Sequence, residues 1–259
     1  MTGTDMVSIP TQEQRTLRLD ELAARYRKAN GIGMQALGMI GSQAEDLMKR
    51  LPKSVSDQLD SLARGALETT FDAATISRKA IPDQKDWLNT AFTVGTGAAG
   101  GLGGIGTALA ELPVTTTVIL RSVQGIAREH GFDPDDEDTR MDCVQVFASA
   151  GPLADDDGID TSFLSMRLGL TGATLQGLLS KVAPRLATVL GQKLAAQTVP
   201  VLGAVAGAAI NYAFTGYYQE MARIHFGLRR LADDLDEDRA ELIEAFRARV
   251  VQRRIKAGK

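Results

Sequence analysis

The sequence predicts an all-α protein, and three observations carry that prediction. Nearly every segment with a periodic apolar pattern repeats at intervals of three and four residues, the spacing that lines one face of a helix. The one strand-like run, residues 114–120 (VTTTVIL), is rich in β-branched side chains. It has no turn-linked partner and continues unbroken into RSVQGIAREHG. Nowhere do strand runs alternate with helical ones, as an α/β fold requires. With 259 residues, 44% of them apolar, the chain is long enough for one large domain with a buried core. The expected organisation is a flexible stretch at 1–10 followed by a single helical domain over 11–259.

Taken in order, the first clear helix covers 54–80. Val55, Leu59, Leu62, Ala66 and Leu67 line one face, Pro52 lies just upstream, and Ser54 with Asp57 resembles a capping pair. A second, buried helix is expected over 113–130, opening with Pro113 at its first position and closing at His130-Gly131, where glycine supplies the left-handed residue. Asp133, Pro134 and the acids that follow read as N-cap, first-turn proline and acidic first turn, which places a helix at 134–150. The last helix carries Leu231, Leu235, Leu242, Phe246 and Val250 on one face.

Two long segments hold no charge: WLNTAFTVGTGAAGGLGGIGTALA, 24 residues between Asp86 and Glu111, and LAAQTVPVLGAVAGAAINYAFTGYYQ, 26 residues between Lys193 and Glu220. At about 1.5 Å per residue either is long enough to cross a hydrocarbon core of roughly 30 Å. The energetics are weaker. Six strongly apolar residues in the first contribute roughly −2 to −4 kcal/mol, against seven glycines and five Asn or Thr side chains. The favoured expectation is a pair of Gly/Ala-rich central helices buried on all sides. Gly97–Gly101, Gly100–Gly104 and Gly203–Gly207 are spaced as G-x-x-x-G, a pattern that lets helix backbones approach closely. Room for an apolar ligand is the second use of such glycines.

The net charge of −3 hides an uneven distribution. An acidic connector at 133–160 holds ten acids and one arginine, while residues from 161 onward carry an excess of six positive charges. Near-balance overall argues against a nucleic-acid binder. The single cysteine, Cys143, excludes an intramolecular disulfide and a thiolate zinc cluster. The amino-terminal stretch has no apolar run of signal-peptide type, so the expected location is cytoplasmic. Two G-x-G-x-x-G matches at 95–100 and 101–106 lack the preceding strand and the following acid of a dinucleotide site. The acidic clusters at 133–138 and 155–160 lack the ligand spacing of a calcium loop. His130 and His225, the only histidines, form no metal-ligand pair, so no catalytic, metal or cofactor residue is assigned.

The stretch GTGAAGGLGGIGTALAELPVTTTVILRSVQGIAREHGFDPDDEDTR, the run from Pro200 to Phe214, and 222–231 (ARIHFGLRRL) together resemble the EcsC family of bacterial helical proteins. The resemblance covers about residues 48–232. It departs from the family pattern at Glu111, where aspartate is usual, and at His130, where tyrosine is usual. It implies an all-helical domain and no reaction. It also singles out Glu111, Arg121, Asn211, Arg223, His225 and Arg229, polar residues in or beside apolar helices. Buried polar groups cost a few kcal/mol unless paired. The expectation is therefore a network joining Glu111 to an arginine and tying helices through Asn211, or else a ligand or head-group site.

The function expected from these observations is non-catalytic: binding of a lipid or another apolar ligand, or peripheral association with the inner membrane surface. Arg121, Arg223 and Arg229 would meet an anionic head group. The basic tail of Arg247, Arg249, Arg253, Arg254, Lys256 and Lys259 would add attraction to anionic lipid. The alternatives are a scaffold that binds a protein partner, and a hydrolase built on His225, Glu111 and an arginine. A homo-oligomer through a G-x-x-x-G face is compatible with the sequence, but no heptad pattern specifies one.

Overall fold

The computed structural model describes residues 12–40, 48–49, 51–80, 86–102, 104–153, 161–166, 174–197 and 203–257. Among them it forms ten helices and no strand, the all-α fold the periodicity predicts. The helices are α1 (Gln12–Ile40), α2 (Lys53–Ser56), α3 (Leu59–Ala80), α4 (Asp86–Leu102), α5 (Gly104–Glu129), α6 (Glu137–Val146), α7 (Ser162–Ser165), α8 (Leu175–Gln197), α9 (Gly203–Leu235) and α10 (Arg239–Ala257). Residues 1–10, the aspartate run 155–160 and Lys259 lie outside the described residues.

The 33-residue α9, about 50 Å long at 1.5 Å per residue, is the axis of the molecule. It packs against α1, α4, α5, α6, α8 and α10. Helix α1 runs antiparallel to it: Ile32 lies over Gly216, Leu22 over Gly227, Arg18 pairs with Asp234 and Arg15 with Glu237. The sequence patterns do not single out α1, although Leu19, Leu22, Ala23, Tyr26 and Ala29 recur at helical spacing and are buried. Helix α4 is also antiparallel to α9, with Gly97 against Gly207 and Thr93 Oγ1 2.8 Å from Thr215 Oγ1.

Four helix boundaries differ from expectation, each for a local reason. The helix expected over 113–130 begins nine residues earlier, and Pro113 is internal to α5. An internal proline costs about 3 kcal/mol or more. Burial on both sides of it, by Ala108 and Leu112 before and Ile119, Leu120, Val123 and Ile126 after, offsets that loss. The far end follows the expectation: Gly131 has φ 85°. The Phe132 and Gly131 amides bond the carbonyls of Ala127 and Arg128 at 3.0 and 2.9 Å, the Schellman closure.

The helix expected at 134–150 is confined to α6. Asp133 accepts the Asp135 amide on its side chain at 3.0 Å and the Asp136 amide on its carbonyl at 3.1 Å, so 133–136 is a turn. Asp136, not Asp133, is the N-cap residue. The expected 54–80 helix is split into α2 and α3, with Pro52 preceding α2 and no side-chain cap bond from Ser54. The last helix also breaks. Asp236 adopts φ 53° and the Glu237 amide bonds the Ala232 carbonyl at 3.1 Å. Asp238 then caps α10, its Oδ1 accepting the Ala240 and Glu241 amides at 2.6 and 3.3 Å. This corner turns Arg239 back toward the body of α9.

The uncharged segments are not two single helices. The first is divided between α4 and α5, the second between α8 and α9. Among the described residues no helix is long and apolar enough to cross a membrane. Helices α4 and α9 cross where Gly97 meets Gly207: a methyl group on Gly97 would lie 2.3 Å from the Gly207 carbonyl oxygen. At that crossing the glycine space is filled by backbone and holds no room for a ligand. Gly100 and Gly101 lie in α4, while Gly104 and Gly203 open α5 and α9. Burial on all sides is not what α4 shows. It turns Asn89, Thr93 and Gly97 inward and leaves Phe92 55% exposed.

Candidate functional site

Two buried polar clusters are built on this frame. The first lies where α4, α5, α8 and α9 meet. Glu111 and Thr115 are one turn apart on α5, and Lys193 and Gln197 one turn apart on α8. Lys193 Nζ lies 3.2 Å from each Glu111 carboxylate oxygen, and Gln197 Nε2 donates to Oε2 at 2.9 Å. The Thr115 hydroxyl and Asn211 Nδ2 donate to Oε1. Asn211 Nδ2 also donates to the Thr93 carbonyl at 2.6 Å, which joins the cluster to the Gly97–Gly207 crossing. Burial alone would raise the Glu111 carboxyl. The Lys193 charge and the hydrogen bonds from Asn211, Thr115 and Gln197 reverse this and hold it below its ordinary value. Burial lowers Lys193, and the facing Glu111 carboxylate restores only part of that.

The second cluster joins α6, α9 and α10. Asp142, fully buried, has Oδ2 2.8 Å from Arg229 Nη1 and 3.6 Å from Arg239 Nη1, and Oδ1 3.3 Å from His225 Nε2. Arg239 Nη2 donates to His225 Nε2 at 2.9 Å. A guanidinium has only donors, so Nε2 faces a donor in Arg239 and a carboxylate acceptor in Asp142. Arg229 also stacks over Phe132, 4.0 Å from the ring centroid. Burial would raise Asp142, but His225, Arg239 and Arg229 hold it well below the usual carboxylate range. Burial lowers His225, and repulsion from Arg239 and Arg229 adds to that effect against the pull of Asp142.

The residues singled out by sequence therefore separate. Glu111 and Asn211 meet, but the cation at Glu111 is Lys193 rather than an arginine. His225 and Arg229 meet, but their carboxylate is Asp142, so the His225–Glu111 pairing of a hydrolase is not assembled. Arg121 is buried on α5, and Arg223 stands half-buried on α9. Thr115, Lys193, Gln197, Asp142 and Arg239 are the members that sequence reasoning missed. Lys193 carried a signal, as the last charge before 26 uncharged residues. Arg239 carried none, because only the corner at Asp236 brings it to His225.

In both clusters the carboxylate is buried, while Arg229 and Arg239 keep part of their side chains in solvent. His225 and Asp142 have no exposed surface, and Cys143 beside them is buried. Among the described residues no three His, Cys, Asp or Glu side chains converge as a metal site requires. In the basic tail, Arg247 bonds Thr161 Oγ1 and Ser165 Oγ, each at 2.8 Å, and so fastens α10 to the α7 region. Arg249 bonds the Ala245 carbonyl and lies 3.5 Å from Asp20. Arg253, Arg254 and Lys256 lie in the last turns of α10.

The depressed His225 predicts a pH dependence. A histidine that stays neutral when folded and titrates near 6.5 when unfolded contributes stability fully present above that pH and lost as pH falls toward the folded value. Chemical denaturation between pH 7 and 5 is expected to show stability falling by up to about 1.4 kcal/mol per pH unit. His225→Gln removes this slope. Stability that rises as pH falls over this range would mean instead that the ring is protonated in the fold.

The EcsC protein family model matches residues 18–231, from α1 through most of α9. The "Uncharacterized protein YdbA" of Bacillus subtilis (strain 168) is 26% identical over 200 residues, which cover 75% of this chain and 70% of that protein. No solved structure matches. A helical array anchored by Glu111, Asn211 and His225, inside a match spanning most of the chain, places this protein in the EcsC protein family.

Proposed function

We propose that the protein is non-catalytic and associates peripherally with an anionic membrane surface, cytoplasmic in location and at the inner membrane. One observation carries this reading. The outward faces of α4 and α9 present large apolar side chains within segments that hold no charge: Leu88 and Phe92 on α4, Val205 and Tyr212 on α9. Phe92 and Tyr212 stand at the same level, because each adjoins a member of the hydrogen-bonded Thr93–Asn211 pair. Exposed aromatic side chains on an uncharged face suit the boundary between head groups and acyl chains. Burying what is exposed of each ring contributes about 1 kcal/mol, and each basic residue near an anionic surface about 1 kcal/mol more. Neither term is sufficient alone, so binding that depends on both is expected.

Flotation of the purified protein with neutral and anionic vesicles, at low and high salt, tests the reading. Flotation is expected with anionic vesicles, weakened by salt and reduced further in Phe92→Ser/Tyr212→Ser. Persistence in high salt would point to insertion of the uncharged helices. No flotation of the folded protein would overturn the reading and leave these faces as a surface for a protein partner.

A further inference from the structure

Charge stops at one level across three neighbouring helices. Helix α1 is densely charged from Gln12 to Lys28 and holds no charge from Ala29 to Ile40. Helix α9 shows the reverse: Gly203 to Gln219 hold none, and charges recur from Glu220 to its end. The two borders coincide, because Lys28 Nζ bonds the Glu220 carboxylate at 2.8 Å. Helix α4 meets the same level at Thr90, whose hydroxyl accepts Gln219 Nε2 at 3.5 Å, and it holds no charge from Trp87 to Leu102. Helix α1 covers Gly216 and Gly227, about 150° around α9 from the Gly207–Thr215 side that α4 covers. The border therefore runs across α9 and the helices on both of its sides. On α5 it falls at Ser122, which accepts Gln219 Nε2 at 3.2 Å, and the charges before that point, Glu111 and Arg121, are buried.

We propose that the uncharged half of the α1–α9–α4 layer sinks into one leaflet of a bilayer, with the Lys28–Glu220 pair at the level of the head groups. The inference rests on the membrane-surface reading and deepens it, from contact along two helix faces to a pose with a set depth in which α1 takes part. The uncharged half is not simply core: Phe92, Val205 and Tyr212 are exposed there, as is Gly95, where an added methyl group finds nothing within 4 Å. A protein partner accepts charges of either sign where it offers complements, whereas a hydrocarbon layer rejects both signs alike up to a common level. The uncharged part of α9 is about 25 Å long, close to one leaflet with its head groups, half of roughly 40–45 Å. Immersion to that depth requires no spanning helix, and among the described residues there is none. The pose is tilted. Lys53, Asp57 and Asp60 are exposed on α2 and at the start of α3, which packs on α5 and α8, so that side is turned to water.

The test uses the full chain and flotation with equimolar phosphatidylcholine–phosphatidylglycerol vesicles. Gly95 lies near the level of Asn211, between Thr93 and Gly97 of α4. It is thus about 13 Å from the border, beyond the reach of a lysine that snorkels. Gly95→Lys and Val205→Lys each add a cation, which favours contact with an anionic surface and opposes immersion. Each is expected to weaken vesicle binding at least about tenfold. Ala24→Lys, exposed on the charged part of α1, is expected to leave binding unchanged or to tighten it. An environment-sensitive fluorophore on Gly95→Cys is expected to be quenched by doxyl groups on the acyl chains, and one on Ala24→Cys is not. If Gly95→Lys melts early by circular dichroism, Val205→Lys decides. Tighter binding by the two lysine variants, or equal weakening by all three, overturns the immersed pose and leaves the membrane-surface reading intact. A dimer by light scattering that Gly95→Lys dissociates, with vesicle binding unchanged, overturns the pose and gives the face to a second copy of the chain. No flotation of the folded wild type overturns both readings.

Discussion

Gly97→Ala is expected to cost more than about 3 kcal/mol, at the upper end for an overpacked core, and to leave little folded protein at physiological temperature. Its new methyl group would meet the Gly207 carbonyl oxygen at 2.3 Å and the Asn211 side-chain amide at 2.6–2.7 Å. A carbonyl in the opposing helix cannot rotate away as a side chain does, so α4 and α9 must separate. That separation also pulls Asn211 from Thr93 and Glu111. Gly95→Ala is the matched control. A methyl there has nothing within 4 Å, and replacing glycine within a helix stabilises by roughly 0.5–1 kcal/mol. Opposite signs two residues apart, read by urea denaturation, would establish that the close crossing and not glycine content is what the helix requires. Equal effects would mean that the crossing is looser than described.

Lys193→Met is the second large effect, with about 3–5 kcal/mol expected for stranding one partner of a buried ion pair. The variant should also reverse a pH dependence. In the wild type the Glu111 carboxyl is held below its ordinary value, so its contribution is present above the unfolded carboxylate value and lost as pH falls. Without Lys193, burial dominates and raises the carboxyl. The contribution is then greatest at low pH and lost as pH rises through the folded value. Glu111→Gln/Lys193→Met removes both charges and is expected to regain most of the loss, since a buried pair exchanged for uncharged groups of similar volume is often near neutral. A double variant as unstable as Lys193→Met alone would mean that the ion pair is not the unit being broken.

These two residues also mark how far the sequence could be read. Gly97 and Gly207 belong to G-x-x-x-G spacings, so close approach of helices was legible from local pattern. Which glycine meets which was not, because the facing of two helices depends on their crossing. Glu111 stood out as a carboxylate at the edge of an uncharged run, yet its partner lies 82 positions away on α8. The sequence offered several arginines and no way to prefer a lysine. His225 shows the same limit. Its carboxylate is 83 positions earlier by number, and its Arg239 neighbour arrives only because Asp236 takes a left-handed conformation and folds α10 back.

Sequence by itself determined the helical class, the glycine-closed end at Gly131 and the family, because backbone propensity, apolar period and terminal capping act over a few residues and are written locally. Tertiary structure decided where helices start beside a proline, which side of α4 faces water, and which charges pair. Those outcomes turn on burial summed over contacts between distant segments. Burial carried α5 through Pro113, turned Asn89 and Thr93 inward at the expense of Phe92, and gave Glu111 to Lys193 and Asp142 to His225 and two arginines.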